Sequence, residues 1–133
     1  MAEQLDVLLL DDEPIVGRRL EPALAKIGCN VEVFEDPGAA LKRFDEKAFD
    51  IVVTDIRMDE IDGIQILEHV VRKSPRTKVI MITGYAMMAL AREAMEKGAF
   101  DFIAKPFQPD DLRQVIAKAA DALGATVDFD PDS

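Results

Sequence analysis

Five polar residues in this chain each stand at the end of a short apolar run, and together they could do chemistry. Asp11 and Asp12 follow the first run, Asp55 ends the third, Thr83 ends the fourth, and Lys105 follows the fifth. If these runs are parallel strands, ligands should bind beyond their carboxyl ends. We therefore expect the five side chains to meet at one edge of a sheet.

Three carboxylates at one edge would repel one another, and at least one would have a raised pKa. A hard divalent cation relieves this repulsion, and Mg²⁺ suits a small set of carboxylate oxygens because it retains several waters. Ca²⁺ fits less well because it needs more ligands, and the chain has no set of His and Cys residues that would favour zinc. The cluster therefore predicts a magnesium site formed by Asp11, Asp12 and Asp55.

A carboxylate can also attack phosphorus and form an aspartyl phosphate. This reaction depends mainly on positioning and on neutralising the charge of the phosphoryl oxygens. Lys105 could pair with one such oxygen and Thr83 could donate a hydrogen bond to another. The residue types thus predict phosphoryl chemistry at Asp55.

The segments that must position these residues alternate between two patterns. Short runs rich in Val and Ile predict buried strands, and longer segments with apolar residues three and four apart predict helices. The predicted strands are 5–10, 31–34, 51–54, 79–82 and 100–104. The predicted helices run over about 14–27, over about 87–97 and from about 109 to 123, and one starts at 37 with Leu41, Phe44 and Ala48 facing inward. A further helix is predicted between the loop closed by Asp62-Gly63 and Ser74-Pro75, with Ile64, Leu67 and Val71 on one face. This alternation predicts an α/β fold with a parallel sheet covered on both faces.

Composition limits the partners and the cellular setting. The 133 residues fit one domain, which we place at 1–123 and follow with an acidic tail or the start of a linker at 124–133. A formal net charge of −10 disfavours binding to nucleic acid or to an anionic membrane surface. The single cysteine, Cys29, indicates a reduced, cytoplasmic setting, and the first apolar run is too short for a signal peptide or a membrane span.

The ordered motifs of the chain resemble the receiver domains of two-component response regulators. The matching segments are 9–14 (LLDDEP), 53–58 (VTDIRM), 62–63 (DG), 82–84 (ITG), 98–99 (GA) and 105–107 (KPF), and the resemblance covers about 5–123. It implies a flavodoxin-like, doubly wound, five-stranded parallel sheet with the strand order 2-1-3-4-5 and five helices.

The resemblance also implies roles for individual residues. Asp55 would accept a phosphoryl group from the phosphohistidine of a sensor histidine kinase or a phosphotransfer protein. Asp12 would bind Mg²⁺ directly, Asp11 mainly through a water, and Arg57 through its backbone carbonyl. Thr83 and Lys105 would hold the phosphoryl oxygens, and the bond between Lys105 and Pro106 would be cis.

A conformational switch is implied as well. Phosphorylation would draw Thr83 inward and let Phe102 rotate, which would alter the surface of the fourth helix, fifth strand and fifth helix. That surface would then bind an output partner, which the sequence leaves unknown, or form a homodimer. Arg57 and Tyr85 lie where the family tunes dephosphorylation. The chain departs from the family pattern at Asp59, where a proline is common.

Three other functions stay open at this point. An aspartyl-phosphate phosphatase usually has a second Asp two residues after the nucleophile, where this chain has Arg57. A flavin carrier needs a phosphate-binding loop after the first strand, where Asp11 and Asp12 would repel phosphate. A receiver-like domain that is never phosphorylated is disfavoured by the complete acidic set, although Asp59 adds negative charge near the site.

Overall fold

The computed structural model describes residues 4–56, 62–84, 88–125 and 127. Five strands alternate with five helices. The strands are β1 (Leu5–Leu10), β2 (Cys29–Phe34), β3 (Ile51–Asp55), β4 (Lys78–Thr83) and β5 (Asp101–Ala104), and the helices are α1 (Pro14–Ala25), α2 (Pro37–Glu46), α3 (Gly63–Lys73), α4 (Met88–Glu96) and α5 (Pro109–Ala122). None of these helices combines the length and apolar content that a membrane crossing requires.

All strand pairs are parallel, and the order across the sheet is β2-β1-β3-β4-β5. The predicted flavodoxin-like fold is therefore confirmed. β2 lies on one side of β1 and β3 lies on the other, so the strand order reverses between β1 and β3. Sheets of this kind bind ligands at that point, beyond the carboxyl ends of the strands.

The sheet carries a separate apolar core on each face, because successive side chains of a strand point to opposite sides. Leu9, Val53 and Ile103 pack with buried residues of α1 and α5, and we call this side the α1/α5 face. Leu10 and Met81 pack with α2, α3 and α4 on the other side, which we call the α2–α4 face. The central strands β1, β3 and β4 are thus buried on both sides, which explains their nearly continuous apolar sequence, whereas the edge strands β2 and β5 are less buried.

Local signals in the sequence set where the helices begin. The Asp36 side chain accepts a hydrogen bond from the backbone N–H of Ala39 (2.9 Å), which caps α2. Asp62 and Gln65 form a reciprocal capping box at the start of α3, with both hydrogen bonds at 2.9 Å. These caps fix where α3 starts, directly beyond the end of β3.

The observed bounds differ from the predicted ones by a few residues, and one inward-facing residue was predicted wrongly. α2 ends at Glu46, so Ala48 lies outside the helix and is exposed. Phe49 is buried instead and stacks against Phe44 with ring centroids 6.3 Å apart. A larger apolar side chain thus fills the core once the helix has ended. The predicted start of the fourth helix at Met87 lies outside the described residues.

Candidate functional site

Three strand ends bring charged residues together on the α1/α5 face. Alternation from Leu9, Val53 and Ile103 places Asp11, Asp55 and Lys105 on the same side, each two residues further along the chain. The contacts agree, because Lys105 Nζ lies 3.0 Å from Asp55 Oδ2 and 3.3 Å from Asp11 Oδ2. The predicted convergence of these three residues is confirmed.

The Lys105 ammonium lies among three carboxylates. Besides Asp55 and Asp11 it contacts Glu13, whose Oε1 accepts a hydrogen bond at 3.1 Å. Burial alone would lower the pKa of Lys105, but hydrogen bonds to Asp55 and Glu13 and the nearby negative charges outweigh it and raise that pKa. The ammonium therefore stays charged at neutral pH.

Asp11 is the most buried carboxylate of the site, with only 2% of the residue exposed. Its Oδ1 accepts the backbone N–H of Glu13 at 2.9 Å, whereas its buried Oδ2 accepts no hydrogen bond from any residue that the structure describes. Burial raises the pKa of Asp11 to about 6, although the Glu13 N–H and the charge of Lys105 act in the opposite direction. A buried carboxylate oxygen in this state is suited to an additional cationic partner.

The acidic cluster fits Mg²⁺. Asp11, Asp12, Glu13 and Asp55 each offer a carboxylate oxygen, and these oxygens lie within 4.8 Å of one another. Such a set suits a cation that takes one or two carboxylates and keeps several waters. The buried Oδ2 of Asp11 points to the same conclusion.

Thr83 and Phe102, the two predicted switch residues, lie on the other face of the sheet. Met81 belongs to the α2–α4 core and pairs in register with Phe102, which packs against that core. Alternation places Thr83 on the same side, two residues after Met81, where it is fully buried and donates its hydroxyl to the Gly84 carbonyl (3.1 Å). Thr83 and Phe102 thus share the α2–α4 face, opposite the face that carries Asp55 and Lys105.

Some predicted features lie elsewhere or were missed. Arg57, Asp59 and Tyr85 fall outside the described residues. The Lys105-Pro106 bond is cis, as predicted. The contact of Glu13 with Lys105 was not predicted; the position of Glu13 directly after Asp11 and Asp12 was the available signal.

Comparison with known proteins agrees with this arrangement. Residues 7–117 match the family model described as the response regulator receiver domain. The chain is 39% identical over 113 residues to regulatory protein AtoC of Escherichia coli K12, covering 85% of this chain and 24% of AtoC. It is 35% identical over 117 residues to chemotaxis protein CheY of Listeria monocytogenes, covering 87% of this chain and 98% of CheY.

Solved structures show the same fold. A receiver domain protein from Clostridium thermocellum superposes with a TM-score of 0.84 at 29% identity, covering 89% of this chain and 95% of that one. The receiver domain of NtrX from Brucella abortus gives a TM-score of 0.80 at 31% identity, covering 86% and 97%. The chain spans about a quarter of the length of the first curated relatives, such as AtoC (24%) and ZraR of Klebsiella oxytoca (26%). The chain belongs to the family of response regulator receiver domains.

Proposed function

We propose that this domain is a phosphorylation-controlled signalling switch whose phosphoacceptor is Asp55. The observation that carries the proposal is the contact of Asp55 Oδ2 with Lys105 Nζ at 3.0 Å, beside the Asp11 and Asp12 carboxylates. A carboxylate oxygen next to a cation and a candidate metal site is the combination that phosphoryl transfer needs, which supports the proposal. The donor is the phosphohistidine of a sensor histidine kinase or a phosphotransfer protein.

In the transfer step an Asp55 carboxylate oxygen forms a bond to phosphorus while the bond between phosphorus and the donor histidine nitrogen breaks. The bonding electron pair leaves with that nitrogen, so nothing is oxidised or reduced. Lys105 stabilises one phosphoryl oxygen, and Thr83 donates a hydrogen bond to another. Asp11, Asp12, Asp55 and the Arg57 carbonyl would hold Mg²⁺, which would neutralise phosphoryl charge when bound.

The output of the switch is a changed surface on α4, β5 and α5. Thr83 and Phe102 share the α2–α4 face, and Leu90 and Met95 of α4 expose 37% and 39% of their surface. A Thr83 hydroxyl drawn to the phosphoryl group would leave space toward which Phe102 can turn, biasing a two-state element. The changed surface binds a partner or a second copy of the domain. The relatives' names include both transcriptional regulation and chemotaxis, so they assign no single output to this domain. A cytoplasmic location stays a prediction.

The direct test is the intact mass of the protein after incubation with Mg²⁺ and acetyl phosphate. We expect one added phosphoryl group, which disappears in Asp55→Asn and when Mg²⁺ is chelated. Asp121→Asn, an exposed position on α5, is the control and should accept the phosphoryl group normally. No adduct with any phosphodonor would refute the proposal, and continuous phosphate release with enzymatic turnover would favour a phosphatase.

A further inference from the structure

Glu13 contacts Lys105 and belongs to the acidic cluster, but the transfer step described above gives it no role. Its side chain is 60% exposed, and its Oε1 accepts a hydrogen bond from Lys105 Nζ at 3.1 Å. Glu13 precedes α1 at the N-cap position, but its side chain caps no backbone N–H there. The carboxylate therefore faces Lys105 and solvent at the entrance to the site.

The Glu13 contact occupies one of the donors that phosphoryl transfer would use. A lysine ammonium has three N–H groups, and Lys105 directs two hydrogen bonds to Asp55 and Glu13. An exposed ion pair of this kind contributes little to folding stability. Glu13 does change the electrostatics of the site, because it adds negative charge there and holds the Lys105 ammonium.

We infer that Glu13 is a specificity-determining residue that slows phosphorylation of Asp55 by small anionic phosphodonors; this rests on the proposed function. Its charge repels an approaching dianion, and its hydrogen bond draws Lys105 away from the donor's phosphoryl oxygens. A phosphohistidine presented by a protein is held by the protein contacts around it, which offset this repulsion. Glu13 thereby favours the protein donor over small acyl phosphates in the same solution.

Two small phosphodonors of different charge separate this effect from a general change in the domain. Acetyl phosphate is a dianion at neutral pH; the bond from Asp55 oxygen to phosphorus forms as acetate leaves with the electron pair. Phosphoramidate carries a single net negative charge; its bond between phosphorus and nitrogen breaks, and ammonia leaves with the electron pair. Repulsion by Glu13 should be stronger for the dianion.

The experiment measures the initial rate of phosphorylation of the full chain by intact mass, at saturating Mg²⁺, for both donors. Glu13→Gln should accelerate phosphorylation by acetyl phosphate about two- to fivefold, as expected for one unit charge near a dianion at a solvated site. The gain should be smaller with phosphoramidate and should shrink as salt is added. Glu13→Lys should accelerate the acetyl phosphate reaction further.

Glu21→Gln is the matched control, because it makes the same charge change at an exposed position of α1, the helix that Glu13 precedes. We expect its rates to equal those of the wild type with both donors. Equal rates for Glu13→Gln and the wild type would overturn the inference, as would an equal gain with both donors. An absence of adduct with both donors, in the wild type and in Glu13→Gln alike, would instead overturn the proposed function itself.

Discussion

Gly63 packs against the backbone that carries Asp55, and its replacement by alanine should disturb both. Gly63 is the first residue of α3, and its N–H donates to the Ile56 carbonyl at 2.6 Å. A Cβ at this position would overlap the Asp55 carbonyl oxygen and would lie 2.7 Å from Ile56 Cα and 3.0 Å from Met81 Cε. Only the methionine end can move aside, since the other two atoms belong to the backbone.

The cost of this overlap can be estimated from packing. Forcing an extra methyl group into a closely packed region costs about 1–3 kcal/mol, and more where the backbone itself must move. The higher helix propensity of alanine recovers at most about 1 kcal/mol. We expect Gly63→Ala to lower the free energy of unfolding by about 2 kcal/mol, which corresponds to a fall in Tm of roughly 6–10 °C for a domain of this size.

Urea unfolding followed by far-ultraviolet circular dichroism measures this loss, and two other glycines calibrate it. A Cβ on Gly17 would lie 2.5 Å from Val33 Cγ1, a side-chain atom that can rotate away, so Gly17→Ala should lose less. A Cβ on Gly84 would meet nothing within 4 Å, so Gly84→Ala should unfold like the wild type. If Gly63→Ala and Gly84→Ala had the same free energy of unfolding, the overlap would not govern stability and the reasoning would be wrong.

Three further predictions concern stability. Burial raises the pKa of the Cys29 thiol from 9.0 to about 11, so between pH 9 and 11 the unfolded chain loses this proton more readily than the folded one. Over this range the free energy of unfolding should fall by on the order of 1–2 kcal/mol more in the wild type than in Cys29→Ala. Parallel curves of unfolding free energy against pH for the two proteins would contradict this. Asp36→Ala removes the hydrogen bond to the Ala39 N–H and should cost about 1 kcal/mol in urea unfolding, which Asp36→Ser should largely restore. Leu112→Ala shortens a fully buried side chain of α5 and should lower the free energy of unfolding by about 2–5 kcal/mol. Leu112→Met keeps most of the volume and should lower it by less than about 1.5 kcal/mol. Equal losses in the two variants would show that no cavity forms.

The fold could be predicted from the sequence because the three central strands, β1, β3 and β4, are nearly continuous apolar runs that end at or directly before a polar residue. The meeting of Asp55 and Lys105 followed from the same pattern, since parallel strands align their carboxyl ends. Two contacts could not be predicted this way. Lys105 reaches Glu13 across 92 positions of the sequence, and this depends on the course of two long side chains. The close approach of Gly63 to the backbone of Asp55 and Ile56 depends on how α3 packs against the end of β3, which is a property of the backbone.

The two faces of the sheet constrain how phosphorylation could reach α4. Asp55 and Lys105 lie on the α1/α5 face, whereas Thr83 and Phe102 lie on the α2–α4 face. The end of β4 joins them: the N–H of Ile56, directly after Asp55, donates to the Ile82 carbonyl at 2.9 Å, and the N–H of Lys105 donates to the Thr83 carbonyl at 2.7 Å. A shift of the backbone on either side of the site is therefore passed directly to β4. Because Thr83 is fully buried, it can move only if neighbouring side chains on its own face repack. We therefore expect the signal to cross the sheet at Thr83, so that Thr83→Ala would uncouple the response of α4 from phosphorylation of Asp55 more than it would reduce phosphorylation itself.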